Sequence, residues 1–140
     1  MIPRIALLIG LGLLLVAGIA AAQNSQDEKA AVASGEKWLT VVDKGKYANS
    51  WQEAAVFFKN AITKEQWEQS MLSFRKPLGR LVSRKVESTV YKTSLPGAPD
   101  GKYVIITIKT TFENKKSAIE TVTPMLEKDG KWRVSGYFIK

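Results

Sequence analysis

The chain has 140 residues, with 21 Lys and Arg against 13 Asp and Glu, a net charge of +8, and neither Cys nor His. This length fits one domain. The missing Cys and His exclude disulfides, Cys- or His-based nucleophilic catalysis and most zinc or copper sites, so no metal or other cofactor is expected and the fold has to rest on its apolar core.

In chain order, Arg4 precedes an uncharged apolar run over residues 5–22 that closes on Ala20-Ala21-Ala22. A positive start, an apolar centre and a small-residue end predict a signal peptide over 1–22, cleaved before Gln23. The alternative is an uncleaved inner-membrane anchor, since the run sits at the lower edge of spanning length. No Cys follows it, so lipid attachment at a signal-peptide cysteine is excluded. Cleavage removes Arg4, leaving 20 basic against 13 acidic side chains, a charge of +7. A periplasmic or secreted domain of that charge meets anionic envelope components, anionic lipids or acidic ligands rather than nucleic acid, unless the excess Lys is only a solvated surface.

Residues 23–27 are expected as a disordered leader to a single domain over 28–140. A helix is predicted from Glu28 to Lys44: Ala31, Ser34, Gly35, Trp38, Val41 and Val42 share one side, while Lys29, Glu36, Thr40 and Asp43 fall on the other. Gly45 suits a left-handed C-cap. Ser50-Trp51-Gln52-Glu53 has the spacing of a capping box and opens a second helix to about Ala61. Thr63-Lys64-Glu65-Gln66 is another, with Ile62 against Trp67 as a hydrophobic staple, and this third helix stops before Pro77.

Period-2 alternation then predicts four strands: Val82–Leu95, and, after the loop Pro96–Gly101, Tyr103–Glu113, Ser117–Lys128 and Lys131–Ile139. Asp129-Gly130 reads as a type I′ turn, which pairs Glu127 with Trp132, Met125 with Val134, Thr123 with Gly136 and Thr121 with Phe138. Closing the turn at Asn114-Lys115 symmetrically pairs Phe112 with Ser117, Thr110 with Ile119 and Ile108 with Thr121. One face then collects Val104, Ile106, Ile108, Phe112, Ile119, Met125, Trp132, Val134 and Phe138. Lys109 would face Glu120 as a surface ion pair worth about 0.2–1 kcal/mol. Pro124 cannot donate to a ladder, so a bulge or a protected edge is expected there. Three helices followed by four antiparallel strands is an α+β order, the helices packing on one face of a curved sheet to form a cone with an interior cleft.

Glu36–Gly45 followed by Tyr47–Trp51, with Ser94–Gly101, Glu120–Met125 and Gly130–Gly136, resembles a bacterial domain-of-unknown-function family, the one numbered 4019, across nearly all of residues 30–140. The resemblance implies a small exported α+β protein and assigns no activity. The layout is more distantly similar to the nuclear-transport-factor-two-like cone fold, or to a cystatin-like one. The cone fold hosts binding modules, isomerases and dehydratases, often as dimers, and fold analogy alone transfers none of these.

Several residue sets are candidates for function. Turning the Pro96–Gly101 loop symmetrically places Glu87, Thr89 and Tyr91 on the concave face with Thr121 and Thr123, a few polar groups in an apolar cavity as in a small-ligand pocket; threonines are also simply good strand formers. Glu87 or Asp43 with Tyr91 would supply the acid–base pair of an isomerase or dehydratase, although Asp43 falls on the polar side of its helix. Arg75, Lys76, Arg80, Arg84 and Lys85 form a basic cluster around Pro77, a site for an anionic partner or a solvated rim. Trp38, Trp51, Trp67 and Trp132 are either an aromatic cage or, as their spacing favours, core. Tyr103, Ile105, Val122, Leu126, Tyr137 and Ile139 make a second apolar face, a homodimer interface or a face covered by the N-terminal segment. No catalytic motif is recognisable. The function expected is therefore a non-catalytic, exported binding or interaction module of the cell envelope, with the small-molecule enzyme and a dimeric structural accessory as alternatives.

Overall fold

The computed structural model describes residues 3–140, with side chains from residue 18 onward. Helices α1 (Pro3–Asp43), α2 (Tyr47–Glu53), α3 (Val56–Ala61) and α4 (Lys64–Phe74), with a 3-10 turn at Lys76–Leu78, precede strands β1 (Leu81–Lys92), β2 (Tyr103–Phe112), β3 (Lys115–Leu126) and β4 (Trp132–Ile139). The strands form one antiparallel meander in the order β1-β2-β3-β4, with the helices on its core face, so the architecture is the expected α+β arrangement on a curved sheet. The apolar run over residues 5–22 lies mostly outside the residues whose side chains are described. No helix among the described residues is long and apolar enough to cross a membrane.

Residues 23–27, expected to be disordered, belong to α1. Gln-Asn-Ser-Gln-Asp contains no Gly or Pro to break a helix. Gln23 donates to Asp27 at 3.1 Å, and the buried Asp27 accepts from Lys102 at 3.4 Å, which ties this turn to the start of β2. The helix ends at Gly45 as expected: φ is +73°, and its N–H donates to the Val42 carbonyl at 2.9 Å.

The expected second helix is two short ones. Ser50 is not a cap; it lies buried inside α2 with its hydroxyl donating to the Tyr47 carbonyl at 2.6 Å. The chain breaks at Ala54 and Ala55, whose small side chains bury completely and let the Ala55 N–H donate to the Val134 carbonyl at 2.8 Å, on the free edge of β4. Ser34 likewise donates to the Trp132 carbonyl at 2.6 Å. The helical layer thus protects the first half of this sheet edge. The Thr63–Gln66 capping box is present in both directions, at 3.1 Å each.

The centre of the helical layer is aromatic. Phe58 and Trp67 meet edge to face at 4.9 Å, and Trp38 meets Tyr137 at 5.3 Å. The indole N–H groups of Trp38 and Trp67 donate to the carbonyl and the hydroxyl of Ser50, at 2.8 and 2.9 Å, while Trp51 donates to the Ile62 carbonyl at 2.8 Å. Trp38 and Trp67 are core, and Trp51 and Trp132 pack against it, so the tryptophans stabilise the fold rather than form an open cage.

Strand register departs from expectation at both hairpins, for local reasons. Glu113-Asn114 is a two-residue turn that pairs Phe112 with Lys115, and a bulge between Thr110 and Phe112 then shifts the ladder by one residue, so that Thr110 pairs with Ala118 and Ile108 with Glu120. That one-residue slip turns Ala118, Glu120, Val122 and Pro124 inward, and Ile119 is exposed instead of buried. No non-glycine residue among those described has positive φ, which rules out a type I′ turn at Asp129-Gly130. The loop is Lys128-Asp129-Gly130, with Gly130 at φ +82° and the Glu127 N–H donating to the Lys131 carbonyl at 2.9 Å. A bulge between Thr123 and Pro124, as expected of the proline, then restores the anticipated pairs Thr123–Gly136 and Thr121–Phe138. Phe138 nevertheless points outward, 57% exposed, because Thr121 and not Glu120 lies on the outer face; Ile106, Ile108 and Val134 are buried in the core.

Helix α1 lies closest to the sheet at Gly35. A Cβ there would stand 3.2 Å from Ile106 Cδ1 and 3.5 Å from both Pro124 Cγ and Val122 Cγ1. Gly35→Val should therefore destabilise the protein by about 1–3 kcal/mol through overpacking, measured as a lowered urea midpoint with unchanged slope. A variant as stable as the parent would show that helix and sheet have room to separate.

Candidate functional site

The corrected registers bring four charged residues together under the C-terminal end of α1. Arg84 and Thr110 are cross-strand neighbours on β1 and β2, and the slip in β3 points Glu120 at the same spot. Glu120 is completely buried. Its Oε1 accepts from Arg84 Nε and from the Thr110 hydroxyl, both at 2.7 Å, and its Oε2 accepts a short hydrogen bond from the Tyr137 hydroxyl on β4. The other two nitrogens of Arg84 grip Asp43, the last residue of α1, at 2.8 and 2.9 Å. Arg75, just beyond α4, completes the group: Nη2 donates to Asp43 at 3.3 Å, Nη1 donates to the Gly79 carbonyl at 2.6 Å, and the guanidinium lies 4.4 Å over the Phe112 ring.

The planar fork of Arg84 is what allows one side chain to serve two carboxylates. Burial works against its charge, but the hydrogen bonds to Asp43 and Glu120 outweigh that and raise its pKa above the ordinary arginine value. Burial is also the main reason that the Tyr137 pKa is raised from 10.0; the negative charge and hydrogen bond of Glu120 add to it. Two arginines balance two carboxylates, so the network is neutral and every carboxylate oxygen is engaged. Arg75 Nε alone among the described buried side-chain polar atoms has no partner.

Beside the network lies an open groove of about 810 Å³, lined by the segment Asp43–Asn49 and by Glu68, Leu72, Arg75, Lys76, Gly79, Arg80 and Glu113. Arg80 is paired with Glu113 at 3.0 Å on the surface, and Asp43 is held by the two arginines. Lys44, Lys46 and Lys76 make no salt bridge among the described residues, and neither does Glu68, so with five cations and three carboxylates in its lining the groove carries a modest surplus of positive charge.

The expected sites divide accordingly. Arg75, Lys76 and Arg80 line the groove, Arg84 is half-buried in the network, and the exposed Lys85 points away, next to Lys109. The concave set of Glu87, Thr89, Tyr91, Thr121 and Thr123 does not assemble on one face. Thr89 and Tyr91 do point inward, the Thr89 hydroxyl lying 3.5 Å from Glu28 and Tyr91 packing on the core. A bulge between Val86 and Ser88 turns Glu87 outward, where Lys109 pairs with it at 3.4 Å in place of Glu120. The bulge beside the Glu113-Asn114 turn sends Thr121 and Thr123 outward as well. Nor do the six residues of the second apolar face share a surface: Tyr103 and Val122 are fully buried, Tyr137 joins the aromatic core, and Ile105, Leu126 and Ile139 are half-buried. The hydroxyl of Tyr103 donates to the Pro99 carbonyl, so the loop before β2 covers it.

Sequence reasoning missed Glu120, Thr110 and Tyr137, and it placed Asp43 on a solvated side. Arg84 and Val86 alternate inward on one strand, and Glu120 sits two positions from Ala118 and Val122 on another; that shared parity was the available signal.

Arg84→Met leaves Glu120 buried without a counter-charge and should cost about 3–5 kcal/mol, whereas Arg84→Met with Glu120→Leu should regain most of it, measured by urea denaturation. Additive losses would mean that the two residues are not coupled. The alkaline side offers a second check. Tyr137 keeps its proton in the fold above the pH at which an unfolded tyrosine loses it, so its contribution is fully present below pH 10 and declines as pH rises beyond that. Stability should fall from about pH 10 upward, and Tyr137→Phe should flatten that fall by up to about 1.4 kcal/mol per pH unit. An unchanged slope would refute the buried-proton assignment.

No curated protein matches the chain. The family described as "Protein of unknown function (DUF4019)" matches residues 34–137, from the last ten residues of α1 into β4 and across both the network and the groove. On that coverage the chain belongs to the DUF4019 family of proteins of unknown function.

Proposed function

We infer that the protein is a non-catalytic, exported binding module of the cell envelope that takes an anionic ligand in the groove beside Arg75. The observation that carries this reading is the unbalanced charge of the groove: Asp43 is already neutralised by two arginines and Glu113 is matched by Arg80, which leaves Lys44, Lys46 and Lys76 against the single unpaired carboxylate of Glu68 among the described residues. An anion entering there meets cations without displacing an acidic partner. The engagement of both core carboxylates supports binding over catalysis, since a general base needs a free lone pair aimed at substrate. The N-terminal charge, apolar run and small-residue end support export.

The test is calorimetric titration of the purified protein with short-chain polyphosphate over a range of salt. Saturable binding that weakens with salt is expected, and the triple variant Lys44→Ala, Lys46→Ala, Lys76→Ala should weaken it by about tenfold or more. A charge-matched triple variant at the exposed Lys92, Lys109 and Lys128 should have little effect. Equal losses in both variants would show that only net charge matters and would remove the groove as a site.

A further inference from the structure

A second cavity, of about 410 Å³, opens along the seam between α4 and β4 and shares no residue with the basic groove. Its size falls in the range of small-ligand pockets, about 300–1,000 Å³. Its wall is apolar: Trp67 and Met71 from α4, Leu78, and Tyr137 and Ile139 from β4. Two phenylalanines at the seam stand in water, Phe74 at 70% exposure and Phe138 at 57%. An exposed aromatic pair flanking a cleft into the core is unfavourable for a domain that keeps the cleft empty, because covering such surface gains about 25 cal/mol per Å².

The polar groups of the seam are as informative as its apolar wall. Its charged side chains are Lys115 and Lys140, and no acidic side chain lines it. The first half of the β4 edge is closed by Ser34 and Ala55, so the opening is confined to the end that carries Tyr137–Ile139. An apolar slot with two lysines and no acidic side chain at its rim complements a molecule with a hydrocarbon chain and a negative head. We propose that the α4–β4 seam binds a single-chain anionic amphiphile, a long-chain carboxylate whose tail lies along Trp67, Met71 and Phe74 and whose head group pairs with Lys115 and Lys140. This site is independent of the anion groove, and neither proposal requires the other.

The probe is 12-bromododecanoate, whose bromine quenches tryptophan fluorescence on contact, added to the full chain below its aggregation concentration. The expected result is saturable one-to-one quenching, most of which disappears in Trp67→Phe. Phe74→Ser, at a solvent-exposed position that carries little folding risk, should weaken binding severalfold. Replacing the acid by 12-bromododecanol should weaken it by about fivefold, the size of one or two exposed ion pairs. Absence of saturable quenching would overturn the proposal, as would equal affinity of the alcohol or unchanged binding by Phe74→Ser. Association with anionic phosphatidylglycerol vesicles but not with the monomeric acid would overturn it too, in favour of a membrane-surface contact.

Discussion

Arg84 is the residue through which the two layers of this protein are joined. From β1 it holds Glu120 on β3 with one nitrogen and Asp43 at the end of α1 with two others, while Tyr137 on β4 and Arg75 after α4 bind the same two carboxylates. The end of α1 and the segment after α4, which both line the groove, thus meet the sheet in one hydrogen-bonded cluster. Its charges are paired because they must be: an unpaired ion at the depth of Glu120 would cost several kcal/mol, while a fully satisfied network roughly balances its own desolvation. Geometry rather than net stabilisation is what the cluster contributes. A neutral floor fixed by five elements lets the surrounding lysines set the electrostatics of the groove.

Around this centre, different forces hold the rest. Trp38, Phe58, Trp67 and Tyr137 fill the space between helices and sheet with edge-to-face contacts, and Ser50 satisfies two of their indole N–H groups with its backbone and side chain. Tyr137 belongs to both systems, its ring in the aromatic cluster and its hydroxyl on Glu120. Where the helical layer stops short, at the far end of β4, the apolar core reaches solvent and leaves the α4–β4 seam. Among the recesses of the described residues are thus a charged one and an apolar one, on either side of α4.

Much of this was legible in the sequence. The helix ending at Gly45, the Thr63–Gln66 capping box, the change to period 2 after Gly79 and the bulge at Pro124 all follow from local chemistry, and each is present; the family followed from the resemblance of whole segments. Register was not legible, because it turns on one residue in each loop. The one extra residue that bulges beside the Glu113-Asn114 turn and the three-residue loop ending in Gly130 are features that propensity does not resolve, yet the first decides whether Glu120 faces water or the core. The bulge at Val86–Ser88 had the same effect on Glu87, since nothing in that stretch marks it, whereas Pro124 advertises its own. The candidate sites suffered most, since they rested on side-chain direction rather than on element identity. The basic cluster survived in part because it lay on the turn around Pro77, where no register had to be known.

The central claim is that the Arg84 guanidinium is largely withdrawn from solvent and locked between two carboxylates. Nitrogen-15 NMR of the arginine side chains tests it directly. The Arg84 Nε–H should be observable at neutral pH, slow to exchange with solvent and shifted downfield by its bond to Glu120, unlike the exposed Arg80. An Arg84 signal that exchanges as fast as that of Arg80 would contradict the account.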